Sequence, residues 1–304
     1  MSSHSLVASR ERSKGIVFVI TAASLWGISG SAAQFLFQNQ GFNTEWLVSI
    51  RMLLSGLLML IFHYSKDKQH FFDIWKDKKD RRSLVIFGIF GMLGVQYTYF
   101  AAITAGNAAT ATLLQYMSPV IITLYLSVRT KRLPTFQESL AVLLALVGTF
   151  FLVTKGKGMQ LSISQGALFW GILSAFASAF YTLHPYRLIV KWGSIPIVGW
   201  GMLIGGIGLS FLHSPFQFAG QWSMGAVVAF LFIILFGTLL AFYMYLESLK
   251  YILASEASVL GSFEPLSAAF VSVVWLNLSF GITEWIGMIC IISTILILSV
   301  GKKS

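Results

Sequence analysis

The chain has 304 residues, 56% of them hydrophobic and only 11% charged, with a mean hydropathy of +0.78. Soluble domains carry about a quarter charged residues, so this composition excludes a soluble globular fold and marks an integral membrane protein. The net charge of +10 does not make it a nucleic-acid binder: that reading needs a basic face with interleaved aromatics on a soluble domain, and the longest polar loop, 65–82, mixes its bases with Asp67, Asp73, Asp77 and Asp80.

A hydrocarbon core about 30 Å thick takes roughly 20 helical residues, and ten apolar runs fit that scale. In chain order they cover 15–37, 44–64, 83–105, 107–128, 135–154, 164–184, 195–211, 223–244, 253–276 and 283–300. The first follows Arg10, Arg12 and Lys14; it is too long for the apolar core of a signal peptide and reads as an uncleaved helix behind a cytoplasmic segment, 1–14. Thr135 and Glu138 form a capping-box signature at the start of the fifth run, and Glu284 beside Thr283 suits the start of the tenth. His184 closes the sixth run and reads as interfacial. The single cysteine, Cys290, has no partner within the chain for a disulfide.

Alternate ends of these runs differ in charge. One side carries the three N-terminal bases, then Lys66, Lys68, Lys76, Lys78, Lys79, Arg81 and Arg82, then Arg129, Lys131 and Arg132, then Arg187 and Lys191, Lys250, and finally Lys302 and Lys303; the other carries only Lys155 and Lys157. The positive-inside rule then places both termini in the cytoplasm.

An offset of 146 residues lays one half of the chain on the other. Without a gap, Phe90 meets Phe236, Gly91 meets Gly237, Leu93 meets Leu239, Tyr97 meets Tyr243, Tyr99 meets Tyr245, Pro119 meets Pro265 and Glu138 meets Glu284. Self-similarity at one fixed period signals a repeated structural unit. The expected fold is therefore an all-α integral membrane protein of ten transmembrane helices in two five-helix repeats, 15–154 and 164–300. Five is odd, so the second repeat enters the membrane inverted.

Secondary transporters with inverted repeats place substrate near the bilayer midplane, between the repeats. Pro119 and Pro265 each fall twelve residues into their runs, close to mid-depth. Each removes a backbone donor and frees the carbonyl about four residues earlier, at Gln115 and Gly261, which in lipid must be met by protein or cavity water. Ala108, Ala111, Gln115 and Ser118 share one helical face, and Ala254, Ala257, Gly261 and Glu264 the matching one. Such faces serve close helix packing or a cavity wall.

Glu264 is the sharpest chemical signal, because a carboxylate near the bilayer centre costs at least ~2.5 kcal/mol and must be compensated by protonation, a substrate cation or Arg51. It is the candidate coupling and substrate carboxyl. Arg51 lies about a third of the way down the second run and must face protein or water; a substrate carboxylate, Glu45 and Glu264 are its possible partners. Tyr97 and Tyr99 cannot share a face, nor can Tyr243 and Tyr245, so one of each pair is a candidate; Tyr97 and Tyr243 are taken, with Gln115, Ser118, Trp26 and Tyr181. Tyr116 is a further candidate. No phosphate loop, metal-ligand spacing or serine elbow is present, so no cofactor and no metal are expected, and with no nucleotide-binding domain ATP would need another chain.

Ala-Ser-Leu-Trp-Gly at 23–27, Ser-Ile-Arg-Met-Leu-Leu at 49–54, Ser-Pro-Val at 118–120 and Phe-Glu-Pro-Leu at 263–266, in this order and spacing, resemble the EamA family of the drug/metabolite transporter superfamily over almost the whole chain. The resemblance implies a bacterial cytoplasmic-membrane carrier of amino acids, metabolites or amphiphilic drugs, often outward and often proton-coupled. It also implies that the Glu of Phe-Glu-Pro is shared within the family rather than a substrate selector. The family often ends its fourth and ninth helices in Leu-Gly-Glu; here stand Ser127-Val128-Arg129 and Trp275-Leu276-Asn277, so that glutamate's role does not carry over. The expected activity is alternating-access transport of a small organic molecule, an amino acid or amphiphilic cation foremost, with lipids and protons as the other partners and no nucleic acid. A channel-like or non-transporting membrane subunit is the alternative, and nothing points to an enzyme.

Overall fold

The computed structural model describes residues 3–129, 131–155, 162–252, 257, 260, 261 and 263–300; the side chains of 3–11, 153, 295, 296 and 298–300 fall outside that description. All regular structure among the described residues is helical. The elements are α1 (Ser3–Asn39), α2 (Thr44–Lys66), α3 (Asp73–Lys76), α4 (Lys78–Ile86), α5 (Gly94–Ala105), α6 (Ala108–Gln115), α7 (Ser118–Arg129) and α8 (Phe136–Thr154). There follow α9 (Gln165–Leu183), α10 (Tyr186–Trp192), α11 (Ser194–Ser210), α12 (Met224–Ile234), α13 (Ala241–Ser248), α14 (Phe263–Val274) and α15 (Ile282–Val300).

Among the described residues, six helical stretches are long and apolar enough to cross a membrane: Arg12–Asn39, Thr44–Lys66, Lys78–Ala105, Ala108–Arg129, Gln165–Trp192 and Met224–Ser248. Four shorter apolar helices, Phe136–Leu152, Ser194–Ser210, Phe263–Val274 and Ile282–Thr294, fall on the other four runs. The third and eighth runs are continuous but change pitch, through π-helical segments Phe87–Leu93 and Leu235–Leu240. The fourth run is two helices, α6 and α7, because Pro119 cannot donate to the carbonyl ladder and the chain turns at Tyr116 and Met117. Of the ninth, α14 is described; Ala254 lies outside the described residues.

The interruptions recur at the 146-residue offset. Moving α8 by that offset reproduces the bounds of α15, and the two π segments overlap. Packing follows the same exchange: α2 lies against α11 and α8 against α15, while α1 packs on α13 and α14 as α9 packs on α5 and α7.

Local chemistry explains the helix ends. Thr135 accepts from Glu138 N while the Glu138 carboxylate accepts from Thr135 N, closing the capping box at α8. Asp77 caps α4, and the backbone N–H groups of Asp80 and Lys79 hold its carboxyl below the usual carboxylate range. The Asp80 carboxylate, fully buried, accepts from Arg187 (2.6 Å), Lys191 (2.5 Å) and the Trp192 indole (3.0 Å), tying α4 to α10. His184 meets Ser83 Oγ at 3.0 Å beside this cluster.

α8 and α15 cross glycine on glycine. A Cβ on Gly148 would stand 2.8 Å from the Gly287 carbonyl oxygen and 2.8 Å from Ile291, and one on Gly287 would stand 2.7 Å from the Gly148 oxygen. Backbones this close gain dispersion contacts that replace the missing hydrophobic drive in lipid. Gly148→Val is expected to cost about 1–3 kcal/mol by overpacking and to lower the thermal midpoint of the purified protein, whereas Leu146→Ala, on the exposed face, leaves it nearly unchanged.

Candidate functional site

The α6–α7 break, the second π segment and the start of α14 border a cavity of about 630 Å³ that draws its walls from both halves of the chain. Trp26 and Ser29 come from α1, Arg51 from α2, Gln96, Tyr99 and Phe100 from α5, and Gln115 through Pro119 from the α6–α7 break, Met117 excepted. Ser178 and Tyr181 of α9, Gly237 of the second π segment, Phe242 and Tyr245 of α13, and Gly261 and Glu264 complete it. At one end the cavity reaches Arg132, Thr135, Gln137 and Tyr186, which are exposed.

Glu264, only 5% exposed, meets the Tyr116 hydroxyl at 3.3 Å. The same hydroxyl donates to the Gly261 carbonyl, the group that Pro265 frees. A tyrosine from the first half thus satisfies both the broken helix and the carboxyl of the second. Gly27 lets α1 pass directly over this point, since a Cβ there would run into the Glu264 carbonyl and the Ala268 nitrogen. Next to it the Trp26 ring packs on Phe242 and Tyr245, centroids 5.0 and 5.1 Å away.

Away from the exposed end, the connections before α2 and before α12 are pinned by rings. Trp46 lies 4.7 Å from Phe218 and 5.7 Å from Phe230, and Trp222 lies 4.9 Å from Phe42 and 5.3 Å from Phe230, centroid to centroid. Below this cluster Gln34 Oε1 accepts from Ala108 N at 2.8 Å and Gln38 donates to the Gly106 carbonyl at 2.8 Å, joining α1 to the start of α6.

The EamA-like transporter family matches this chain in two stretches, residues 13–154 and 165–300. The chain belongs to that family. This EamA-like transporter is 40% identical over 292 residues to the uncharacterized inner membrane transporter YicL of Salmonella typhimurium (strain LT2), covering 95% of this chain and 96% of that protein. It is 26% identical to an uncharacterized transporter of Archaeoglobus fulgidus over 71% of this chain and 76% of that one. It is 22% identical to the uncharacterized transporter YdfC of Bacillus subtilis (strain 168) over 88% and 85%. One crystal structure of a protein superposes with a TM-score of 0.65 at 16% identity, covering 96% of this chain and 99% of that chain; likeness at that identity concerns the fold alone. The chain is a membrane transporter.

Of the residues singled out from the sequence, Trp26, Arg51, Gln115, Ser118, Pro119, Tyr181 and Glu264 line the cavity of the EamA-like transporter, and Tyr97, Tyr243 and Pro265 are not among its lining residues. Tyr99 and Tyr245, the other members of the two Tyr-x-Tyr pairs, are there instead. Tyr97 turns away, donates to Glu45 at 3.2 Å and packs edge-on against Trp170. Gln96 and Phe242, equivalent positions in the two halves, were missed; each stands one helical turn before the lining tyrosine, the spacing that would have found them. Arg51 pairs with neither Glu45 nor Glu264 but with Gln96, Nε donating to Oε1 at 2.7 Å.

In a Cys290→Ser background, Ser118→Cys is expected to react with a small water-soluble thiol reagent in purified protein, because the cavity reaches solvent. Leu146→Cys, exposed on the outer face of α8, should stay unlabelled in a lipid nanodisc. Equal labelling of both, or of neither, would contradict the placement of Ser118.

Proposed function

We propose that this transporter is a secondary carrier that moves small organic molecules by alternating access, exporting them across a bacterial cytoplasmic membrane, with Glu264 as substrate and coupling carboxyl. The observation that carries the reading is the cavity itself: both halves build it, its carboxyl lies beside Tyr116, and one end reaches exposed residues. Ten spans in two inverted five-helix repeats, 15–154 and 164–300, account for the twofold family match, the coincident bounds of α8 and α15 and the exchange-symmetric packing.

With the termini in the cytoplasm, Arg132, Thr135 and Tyr186 mark the cytoplasmic mouth, and the rings of Trp46, Phe218, Trp222 and Phe230 close the outer end. Release to the outside then requires those rings to part. Each aromatic pair is worth about 0.5–1.5 kcal/mol beyond its buried area, a barrier that thermal motion and substrate binding can overcome together. Export and proton coupling follow what the family resemblance implies, and a protonatable carboxyl buried in the cavity wall is the group that such coupling needs.

Substrate-specific counterflow in proteoliposomes loaded with amino acids, quaternary amines, nucleosides or sugars is the test. The expected result is saturable counterflow for one chemical class, lost at least tenfold in Glu264→Gln together with its dependence on pH. Flux without counterflow would favour a channel-like subunit, and an unchanged rate and pH profile in Glu264→Gln would remove that residue from the mechanism.

A further inference from the structure

Arg51 is 4% exposed and lines the cavity. Its Nε is held by Gln96, and the plane of its guanidinium lies over Phe100, 4.2 Å from the ring centre. The carboxyls nearest in expectation are engaged elsewhere, Glu45 with Tyr97 and Glu264 with Tyr116, and among the described residues no ion pair reaches Arg51. The cation therefore stands in the cavity wall with its two terminal nitrogens unclaimed by any acid.

The surrounding polar groups have the same character. Gln96 gives its oxygen to Arg51, which fixes the amide so that Nε2 presents a donor, and that nitrogen is buried without a partner. Trp26 and Tyr181 also line the cavity, and the indole nitrogen of the one and the hydroxyl of the other are likewise buried without partners. Leaving buried donors unmet is unfavourable, and in native proteins such groups call for an explanation. All of these can donate, all belong to residues that line one cavity, and the guanidinium is the donor whose fork matches a carboxylate two bonds at a time.

We propose that Arg51 and Gln96 form an anion subsite that takes a carboxylate of the transported molecule, on the wall built by α2 and α5 and separate from Glu264 on α14. The inference rests on the carrier reading above and names one end of its substrate. Nε is committed to Gln96, so the carboxylate is received by the two terminal guanidinium nitrogens, with Gln96 Nε2 beside them. A molecule that also carries an amine can reach toward Glu264 with its other end.

The test uses purified full-length protein in nanodiscs and pairs of probes that differ only in carboxylate against primary amide: phenylalanine with phenylalaninamide, benzoate with benzamide, and analogous aliphatic pairs. Wild type is expected to bind the acid of at least one pair tenfold or more tightly than its amide. Arg51→Gln should lose that preference, and Arg51→Lys, with charge but no fork, should keep part of it. Gln96→Glu supplies an internal carboxylate to Arg51; it should preserve folding, judged by thermal midpoint, while abolishing acid preference. Equal binding of acid and amide to wild type, or a preference that survives in Arg51→Gln and Gln96→Glu, overturns the subsite. If no acid binds but another class shows counterflow, the subsite is wrong and the carrier reading stands; absence of binding and of counterflow for every compound overturns both.

Discussion

Inside a bilayer a backbone carbonyl released from its helix has no water to turn to, so every interruption must be answered by protein or by the cavity. This chain places its interruptions together and answers them with hydroxyls. Tyr116 meets the carbonyl at Gly261. Before the second π segment, Thr238 Oγ1 donates to Ile233 O at 2.7 Å and Ser55 Oγ to Ile234 O at 3.2 Å. Tyr116, Gly237 and Gly261 also line the cavity, which therefore forms where the backbone already departs from regular helix, as π segments at functional positions commonly do.

The second requirement is that helices come close enough to deliver these groups. α1 does so through small residues: Gly27 against α14, Gly30 against the Tyr99 hydroxyl, and Ser29 over Gly237. Ser31 Oγ lies 3.4 Å from both Gly27 O and Ala268 O. Close approach of α1 carries Trp26 to the rings of α13, where it lines the cavity. One stretch of small residues thus fixes the packing and composes the site, so the two readings of such faces, packing or cavity wall, apply at neighbouring depths.

Much of this was legible in the chain. Prolines, a fixed offset and an acid in an apolar run are signals that do not depend on where other helices go, and they located the α6–α7 break, Glu264 and the paired halves. Faces were harder. The Tyr-x-Tyr pairs tell only that one member of each can face inward, and the π segments just before them, 87–93 and 235–240, shift the phase that α-helical spacing would give; Tyr97 and Tyr243 were taken, and Tyr99 and Tyr245 line the cavity. Arg51 to Gln96, Tyr116 to Glu264 and Trp46 to Phe218 join residues 45, 148 and more than 150 positions apart, and no local spacing announces such contacts.

The placement of charge bears on how such a carrier would work. Arg51 belongs to the first half and Glu264 to the second, and each is held by an uncharged partner, Gln96 and Tyr116, rather than by the other. Had they formed a buried pair, the halves would be locked and the cavity filled, since removing one partner of such a pair is strongly unfavourable. Kept apart, each retains an unmet electrostatic demand that only an occupant or a proton relieves. A ligand shifts a conformational equilibrium by its difference in affinity between the two states and by nothing else. In a carrier of the proposed kind, opposite demands on opposite halves would supply that difference, because a bound molecule that satisfied both would hold the two halves to one geometry, and a molecule that satisfied one would leave the other half free of it.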